Sequence, residues 1–352
     1  MSAGRTVRVA VIGASGYTGA DAIRLAARHP GIEIVALTAN THAGRPVSQV
    51  WPHLASLDLP DLVTNGEVDW GAVDAAFVGL PHGTAQDVIV SIPEHVRIID
   101  ISADFRLRDP ETYARWYGRE HAAPELLKQA VYGLTEHYRE EIRNARLVAC
   151  PGCYPTATLI LLLPLVKRGL ISVDDLIIDA KSGVSGAGRG LKQNTLFCEA
   201  GEGLSPYAVG AHRHAPEIEQ ELARAAGRAA SEGVVNFTPH LVPMSRGELI
   251  TAHARLADGA TAADCEAALR DACAGEPFVR MAPEGVLPAT QHVRGSNEVV
   301  LAVREDRIPG RVILISALDN LVKGSSGQAL QNFNLMFDFP ETEALTQLPM
   351  FP

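Results

Sequence analysis

The sequence predicts a two-domain α/β protein, in which a first domain built on a parallel sheet precedes an α+β domain with a mixed sheet. The chain has 352 residues, more than one hydrophobic core usually supports. Its first 150 residues alternate continuous apolar runs with helix-like segments, a pattern typical of parallel strands buried on both faces. After residue 150 an apolar helix is followed by separated strand-like segments, which indicates a second sheet with mixed pairing.

The first domain begins with a strand, a helix and a second strand. Strands are predicted at 7–12, 32–37, 75–80 and 96–101. Apolar residues with near-helical spacing at 17–28 predict the helix, and His29-Pro30-Gly31 ends it. Residues 108–146 are richer in charge and aromatic residues and have no clear periodicity, so we interpret them as a connecting or covering segment.

The second domain opens with a predicted helix at about 154–167. Strands are expected near 176–180, 249–256 and 298–304, and a last strand at 311–318 is followed by a helix that ends near 337.

Charge and composition exclude several classes of function. The net charge of -10 disfavours nucleic acid as a partner. The most apolar run, 159–166, contains Pro164 and falls far short of the roughly 20 residues that a membrane helix needs. No export signal is evident, and five cysteines, an odd number, suggest free thiols. We therefore expect a cytoplasmic protein without a membrane segment.

The turn after the first strand reads Gly13-Ala14-Ser15-Gly16-Tyr17-Thr18-Gly19. Glycines three residues apart let backbone amides approach a pyrophosphate at a helix N-terminus, as in Rossmann-type domains. The alternative is a tight turn that needs glycine only for packing. The position of this turn between a strand and a helix favours dinucleotide binding.

The end of the second strand favours NADP over NAD. An NAD-preferring protein usually carries Asp or Glu here to bind the ribose 2′-hydroxyl, whereas this chain has Thr38 and Asn40, with Arg45 shortly afterwards. Hydroxyl, amide and guanidinium groups suit a 2′-phosphate better. The alternative is that Thr38 and Asn40 merely shape a polar turn.

Cys150 and Cys153 admit four interpretations. They could form a redox pair or half of a zinc site, Cys153 alone could be a nucleophile, or both could be structural. Cys150 continues an apolar strand and is expected in the core. Cys153 lies where the strand meets the next helix, and there the helix dipole and unpaired amides stabilise a thiolate. No metal site is predicted.

A thiolate enzyme also needs an acid/base group, and His212 and His214 are the best-placed candidates, directly before a helix. A structural role or metal binding by this pair stays open. Two further segments are suited to anions: the glycine-rich loop 181–190, and 102–106, which ends in Arg106. The alternative for each is an exposed loop.

These motifs together resemble the N-acetyl-gamma-glutamyl-phosphate reductases of arginine biosynthesis, relatives of the aspartate-semialdehyde dehydrogenases. The resemblance spans almost the whole chain. It rests on the Gly-Ala-Ser-Gly-Tyr-Thr-Gly loop and on five further motifs: Gly-Leu-Pro-His-Gly at 79–83, Pro-Gly-Cys-Tyr-Pro-Thr at 151–156, Lys-Ser-Gly-Val-Ser-Gly-Ala-Gly at 181–188, His-Arg-His-x-Pro-Glu-Ile at 212–218 and Leu-Asp-Asn-Leu-Val-Lys-Gly at 318–324. The cysteine motif is the specific one, because the relatives surround their cysteine with Asn, Thr and Ser.

The resemblance implies Cys153 as nucleophile and His212 as acid/base. It implies NADP(H) as cofactor, and the cofactor residues that we predict are Gly13, Ser15, Gly16, Tyr17, Thr18, Gly19, Thr38, Asn40, Gly79, Leu80, Pro81, Ser182, Gly183 and Asn320. For the substrate we predict Arg106, Ser185, Gly186 and Arg213.

The implied reaction is the reduction of N-acetyl-glutamyl phosphate to the 5-semialdehyde through a thioester on Cys153. An alternative is a related enzyme acting on aspartyl phosphate, and a second is a non-catalytic NADP-binding protein. The family's C-terminal helix packs back on the nucleotide domain, which implies one domain of 1–150 plus about 320–352 and a catalytic and oligomerisation domain of 151–319. A homodimer or homotetramer is also implied.

Overall fold

The computed structural model describes residues 6–229 and 235–352, which divide into two compact units. The first comprises the described residues up to Pro151 together with Ser325–Thr346, and the second comprises Gly152–Gly324 and Gln347–Pro352. The nucleotide domain predicted at 1–150 and about 320–352 includes residues 1–5, which lie outside the described residues. Residues 320–324 and 347–352 belong to the second unit.

The first unit is built on short strands separated by helices. Its elements are β1 (Val7–Ile12), α1 (Tyr17–Ala26), β2 (Ile32–Thr38), α2 (Val47–Val50), β3 (Leu62–Val63), β4 (Ala75–Val78), α3 (Ala85–Ser91), β5 (Arg97–Asp100), α4 (Pro110–Tyr117), α5 (Pro124–Leu127), β6 (Val131–Tyr132), α6 (Thr135–Asn144) and β7 (Leu147–Ala149). The seven strands form one sheet in the order β3-β2-β1-β4-β5-β7-β6, and every neighbouring pair is parallel.

The parallel arrangement follows from burial on both faces. In β1, β4 and β5 nearly all side chains are buried, so no strand of this group can turn a polar face to water. All four strands expected in the first 150 residues are present. The predicted strand 75–80 ends earlier, at Val78, because Gly79 starts the next turn.

The segment 108–146, predicted to be a connecting segment, instead contributes three helices and a strand, α4, α5, β6 and α6. Its periodicity is hidden for two reasons. The buried face of α4 is made of tyrosines, since Tyr113 and Tyr117 stack with ring centroids 4.5 Å apart. The helix α6 contains non-helical backbone angles at Tyr138, which shift the phase of its buried face.

The second unit begins with a long buried helix. Its elements are α7 (Cys153–Lys167), β8 (Leu176–Gly183), α8 (Phe197–Ala200), β9 (Ser205–Pro206), α9 (Ala215–Ala225), β10 (Val235–Val242), β11 (Glu248–Arg255), α10 (Ala262–Cys273), β12 (Val279–Met281), β13 (Val299–Glu305) and β14 (Arg311–Leu318). After β14 the chain returns to the first unit as α11 (Gly327–Met336), whose residues are all buried and which packs against α1 and α6.

The second sheet is mixed, in the order β12-β13-β14-β11-β8-β10-β9. β12 and β13 are parallel, as are β8 and β10, and the other neighbours are antiparallel. Burial alternates along β8, β10 and β11, so one face of the sheet is covered, and α7 packs against β11 and β14. The predicted fold class, a parallel sheet followed by a mixed sheet, is confirmed. Within the described ranges, no helix has the length and apolar character needed to cross a bilayer.

Candidate active site

The turn after β1 is closed by backbone contacts that exclude side chains. Gly13 has φ +89°, and a Cβ built there would lie 2.5 Å from the carbonyl oxygen of Gly79. A Cβ at Gly19 would lie 2.4 Å from the carbonyl oxygen of Gly13. Both positions therefore require glycine for packing, and Gly13 also requires it for its left-handed backbone.

Gly16 is different because packing does not require it. It caps α1 with φ −83° and ψ 164°, and the nearest atom to a built Cβ is 3.5 Å away. No side chain caps this end of α1, and its first turn has no acidic residue. Ser15, Tyr17 and Thr18 are half-buried at the same end. Helix amides left open in this way, with the positive end of the helix dipole, fit a pyrophosphate.

The segment that follows β4 lies against this loop. The Gly79 N–H donates to the carbonyl of Ile12 at 2.8 Å, and a Cβ built at Gly79 would lie 3.1 Å from Thr18 Oγ1. Leu80 is half-buried and Pro81 is exposed. The structure therefore brings the predicted cofactor residues 13–19 and 79–81 to one edge of the first sheet.

Thr38 and Asn40 help to shape the neighbouring turn. Thr38 is fully buried, and its hydroxyl oxygen accepts a hydrogen bond from the Gly13 N–H at 3.2 Å. Asn40 is exposed, and its Oδ1 accepts from the Asn65 N–H at 3.2 Å. Both contacts are those expected if Thr38 and Asn40 shape a polar turn. Arg45, five residues after Asn40, is exposed. Binding of a 2′-phosphate by Thr38 and Asn40 stays a prediction.

Arg106 is tied to the ends of two strands in the first unit. Its Nε donates to the carbonyl of Cys150 at 2.8 Å, and its Nη2 donates to that of Ile101 at 3.0 Å. These bonds use part of the guanidinium to hold strand ends, so a clamp on a substrate phosphate stays a prediction. Cys150 is fully buried, as expected of a core thiol, and burial raises its pKa to about 12.

Cys153 is the first residue of α7 in the second unit, and its side chain is half-buried. The preceding Gly152 is the N-cap, and its N–H donates to the buried Glu217 Oε1 at 2.9 Å. A Cβ built at Gly324 would lie 2.8 Å from Cys153 Cβ, so only glycine leaves the thiol in this position. Placement in the first turn of a helix favours the thiolate form of a cysteine.

Aromatic rings surround the residue that follows Cys153. The Tyr207 hydroxyl donates to the Tyr154 hydroxyl at 3.2 Å, and burial raises the pKa of both groups above their usual range. The His212 ring lies edge-on to both, with centroid distances of 5.7 Å to Tyr154 and 5.4 Å to Tyr207. His212 is thereby held next to the first turn of α7.

The protonation of His212 follows from its surroundings. Its Nδ1 accepts a hydrogen bond from the His214 N–H at 3.1 Å, which leaves the proton of the neutral ring on Nε2. Burial, with a smaller contribution from the charge of Arg213, lowers the pKa of His212 to about 4. At neutral pH the ring therefore offers an Nε2–H donor. A role as acid/base stays a prediction, as does substrate binding by Arg213, whose side chain is exposed.

The glycine-rich loop after β8 is fastened by Asn320. Asn320 is buried; its Oδ1 accepts from the Gly247 N–H at 2.8 Å and its Nδ2 donates to Ser185 Oγ at 3.0 Å. A Cβ at Gly186 would lie 3.2 Å from Ser182 Oγ, and one at Gly183 would lie 2.8 Å from the carbonyl oxygen of Met244. The predicted residues of this loop and Asn320 are thus brought together. Their contacts with cofactor or substrate stay predictions.

Two buried carboxylates near Cys153 were not predicted. Glu217 belongs to the histidine motif but was given no role. Glu248 is the first residue of β11 and is fully buried, with no hydrogen-bond partner for either carboxylate oxygen among the described residues, and burial raises the pKa of its carboxyl group to about 8. A signal was present in the sequence, because Glu248 occupies an inward position that Ile250, Ala252 and Ala254 continue with apolar side chains.

The redox-pair, zinc and structural interpretations of Cys150 and Cys153 stay alternatives. All five cysteines are free thiols. Within the described residues, 6–229 and 235–352, no group of three His, Cys, Asp or Glu side chains is clustered so that it could hold a metal ion.

Comparison with known proteins decides the family. Residues 8–145 match the model described as "Semialdehyde dehydrogenase, NAD binding domain", and 153–320 match "Semialdehyde dehydrogenase, dimerisation domain". An N-acetyl-gamma-glutamyl-phosphate reductase of Rhodospirillum rubrum is 55% identical over 98% of this chain and 99% of its own. The chain belongs to the N-acetyl-gamma-glutamyl-phosphate reductase family. The resemblance inferred from the motifs is therefore confirmed.

Other members of the N-acetyl-gamma-glutamyl-phosphate reductase family are similar over comparable lengths. A probable chloroplastic enzyme of Arabidopsis thaliana is 51% identical over 99% of this chain and 86% of its own. Among solved structures, aspartate semialdehyde dehydrogenase with NADP from Candida albicans has a TM-score of 0.69 at 18% identity, covering 94% of this chain and 98% of its own. That similarity supports the fold alone.

Proposed function

We propose that this protein reduces N-acetyl-L-glutamyl 5-phosphate to N-acetyl-L-glutamate 5-semialdehyde and phosphate, with NADPH as reductant, in arginine biosynthesis. The observation that carries the proposal is the half-buried Cys153 thiol at the first position of α7, closed on one side by Gly324. A carboxylate is a poor hydride acceptor, so activation as an acyl phosphate and capture as a thioester suit this site.

The cofactor is NADP(H), which supplies the hydride when it is bound. The residues that would hold it are the amides at the N-terminus of α1 around Gly16, together with Gly79–Pro81. Ser182, Gly183 and Asn320 are proposed cofactor residues of the second unit. Thr38 and Asn40 are proposed to contribute to the 2′-phosphate site through the turn that they shape. The exposed Arg45 is the proposed positive charge for that phosphate.

Cys153 performs the covalent step. Its thiolate attacks the acyl carbon, the C–S bond forms, and the C–O bond to phosphate breaks with its electron pair on the phosphate oxygen. Helix α7 amides and the Nε2–H of His212 stabilise the oxyanion of the tetrahedral species. After reduction of the thioester, the alkoxide re-forms a carbonyl and expels the Cys153 thiolate. Arg106, Ser185, Gly186 and Arg213 are the proposed substrate contacts.

The test is substrate choice. The full-length protein is assayed for NADPH consumption with N-acetyl-glutamyl phosphate and, in parallel, with aspartyl phosphate. We expect turnover with the first and a kcat/KM at least about a thousandfold lower with the second, because polar groups that pair with an N-acetyl group would be left unpaired by a substrate that lacks it. Equal rates with both substrates, or no turnover with either, would reject the assignment.

We also propose that the protein is a cytoplasmic homo-oligomer, a dimer or tetramer, that pairs through the open face of the second sheet. Free thiols support a reducing compartment. The helix-free face carries half-buried or exposed side chains, among them Ile177, Asp179, Lys181, Thr251, Ile313 and Ile315. A mixed apolar and charged face of this kind suits a second copy of the same chain.

Ile177→Asp tests this pairing, because Ile177 is 37% exposed on the open face. We expect the variant to shift towards the monomer in sedimentation velocity at micromolar concentration. Ile308→Asp, at a residue 59% exposed in the β13–β14 turn, is the matched control and should keep the native assembly. A native protein that sediments as a monomer would refute the proposal.

A further inference from the structure

Trp51 is held in a fixed position beside the glycine loop of the first unit. It follows α2 directly, and its backbone N–H donates to the carbonyl of Val47 at 2.8 Å. The Leu54 N–H donates to the Trp51 carbonyl at 3.0 Å. The indole is half-buried and lies at a steep angle to the His53 ring, with ring centroids 5.8 Å apart. Both the backbone and the ring of Trp51 are therefore restrained.

The indole N–H of Trp51 points into the glycine loop. Its Nε1 donates to the carbonyl oxygen of Ala14 at 2.9 Å. On the other side of the same residue, the Ala14 N–H donates to the carbonyl of Thr38 at 2.8 Å. The indole also lies next to the first residue of α1, since the centroids of the Trp51 and Tyr17 rings are 6.1 Å apart. The side chain of Trp51 thus joins the glycine loop to the start of the helix that follows it.

The hydrogen bond to Ala14 fixes the direction of a second group. The Ala14 carbonyl and the Ser15 N–H belong to one peptide group, which is planar and trans, so the two bonds point in opposite directions. By holding the Ala14 oxygen, Trp51 turns the Ser15 N–H away from the indole. Ser15 directly precedes Gly16, the N-cap of α1, where the helix amides fit a pyrophosphate.

Loss of the indole donor would change this arrangement. Ala14 is 0% exposed, and a buried carbonyl without a donor is costly, so its peptide group would rotate towards another donor. The peptide group is rigid, so the Ser15 N–H would rotate by the same angle. The indole can therefore act on an anion at the start of α1 without touching it.

We propose that Trp51 is a positioning residue of the cofactor site, which aims the Ser15 N–H at the pyrophosphate of NADP through its hydrogen bond to Ala14. This role rests on the proposed binding of NADP at the glycine loop. It requires an N–H at one place and not a large ring. The Nε2 atom of a histidine occupies the place of the indole Nε1 relative to Cβ, whereas phenylalanine is aromatic but has no donor.

The experiment is titration calorimetry with NADP on the full-length protein, on Trp51→Phe and on Trp51→His. Trp70→Phe is the matched control, because Trp70 is a half-buried tryptophan that packs against the core of the same unit. It precedes β4, at the opposite end of the parallel strands from the glycine loop. Circular dichroism and thermal unfolding establish that each variant is folded.

We expect the Kd for NADP to rise about tenfold in Trp51→Phe, the lower end of the range for one charge-assisted hydrogen bond, because the Ser15 N–H is misdirected and not removed. Trp51→His should bind within about threefold of the native protein. With saturating NADPH, kcat should stay within about twofold in both variants, so that the loss in Trp51→Phe is confined to the KM for NADPH. Trp70→Phe should keep the native Kd.

Phosphorus NMR of the bound NADP adds a readout that a purely stabilising role would not change. The pyrophosphate resonances should shift between the native protein and Trp51→Phe, because the amide that faces them has turned. The 2′-phosphate resonance should keep its position, since Trp51 does not act on the end of β2. Trp51→His should restore the native pyrophosphate resonances.

Three outcomes overturn the proposal. One is a Kd of Trp51→Phe within about twofold of the native value. Another is equal weakening in Trp51→Phe and Trp51→His, which would assign the effect to the size of the ring. The third is equal weakening in Trp70→Phe, which would reduce the effect to stability.

A measurement on the native protein covers the case in which Trp51→Phe does not fold. The indole N–H of Trp51 should then exchange slowly with solvent deuterium, and exchange as fast as that of a fully exposed indole would reject the hydrogen bond. The binding measurements need no acyl phosphate. A native protein that does not bind NADP would reject the proposed function, whereas native binding that is unchanged in Trp51→Phe would reject the role of Trp51 alone.

Discussion

The three glycines of the loop after β1 separate packing from ligand binding, and alanine substitution tests each role. At Gly13 an added methyl group meets the Gly79 carbonyl oxygen at 2.5 Å on a backbone with φ +89°. The left-handed backbone costs about 1–2 kcal/mol and the overlap about 1–3 kcal/mol. We therefore expect Gly13→Ala to lower the free energy of unfolding by about 2–5 kcal/mol.

Gly16→Ala should behave in the opposite way. Its φ of −83° suits alanine, and the nearest atom to the new methyl group is 3.5 Å away, so the free energy of unfolding should change by about 1 kcal/mol or less. The methyl group lies at the amides that we assign to the cofactor pyrophosphate. Losing one charge-assisted hydrogen bond costs about 1.5–3 kcal/mol, which raises the Kd for NADP about 10- to 100-fold.

Urea unfolding and titration calorimetry with NADP measure the two effects on the same preparations. Gly44→Ala, at an exposed glycine with φ +79° and no atom within 4 Å, is a control for backbone strain alone. It should lose about 1–2 kcal/mol without a change in NADP affinity. If Gly16→Ala binds NADP within twofold of the native protein, the pyrophosphate is not held at the N-terminus of α1 and the assignment fails.

Further substitutions probe the thiol site. Cys153→Ser should keep NADP binding and lose several orders of magnitude in turnover, and near-native activity would dismiss Cys153 as nucleophile. His212→Asn should lower kcat/KM about a hundredfold and change the acidic end of the pH profile, because the native ring gains a proton near pH 4 and asparagine does not. An unchanged profile would point to His214 or to a structural role. The pKa of the Glu248 carboxyl group is about 8 in the folded protein and about 4.3 in the unfolded chain. Its contribution to the free energy of unfolding is therefore full below about pH 4, falls as the pH rises, and is lowest above pH 8. Glu248→Gln should therefore gain stability relative to the native protein by about 1 kcal/mol per pH unit between pH 5 and 8 in urea titrations, and a constant difference would contradict the raised pKa.

The sequence by itself determined the features that depend on neighbours along the chain. The strand, glycine loop and helix of residues 7–26 are specified by apolar runs and by glycine spacing, both of which are local. The position of Cys153 at the start of α7 was likewise visible, because an apolar strand ends just before it and a helix with Pro155 in its first turn follows. Helices escaped prediction where tyrosines formed the buried face or where a kink shifted it, as in α4 and α6.

The tertiary structure decided which polar groups meet and where their protons lie. Thr38 stays a predicted cofactor residue, but only the structure shows that its hydroxyl oxygen accepts a hydrogen bond from the Gly13 N–H in the glycine loop. The tautomer of His212 depends on one backbone N–H, and its low pKa depends on burial. Glu248 faces α7, and Gly324 reaches Cys153, only through the pairing of β11 with β14 and the packing of α7. Protonation is set by desolvation and by charges in space, and neither is a property of spacing along the chain.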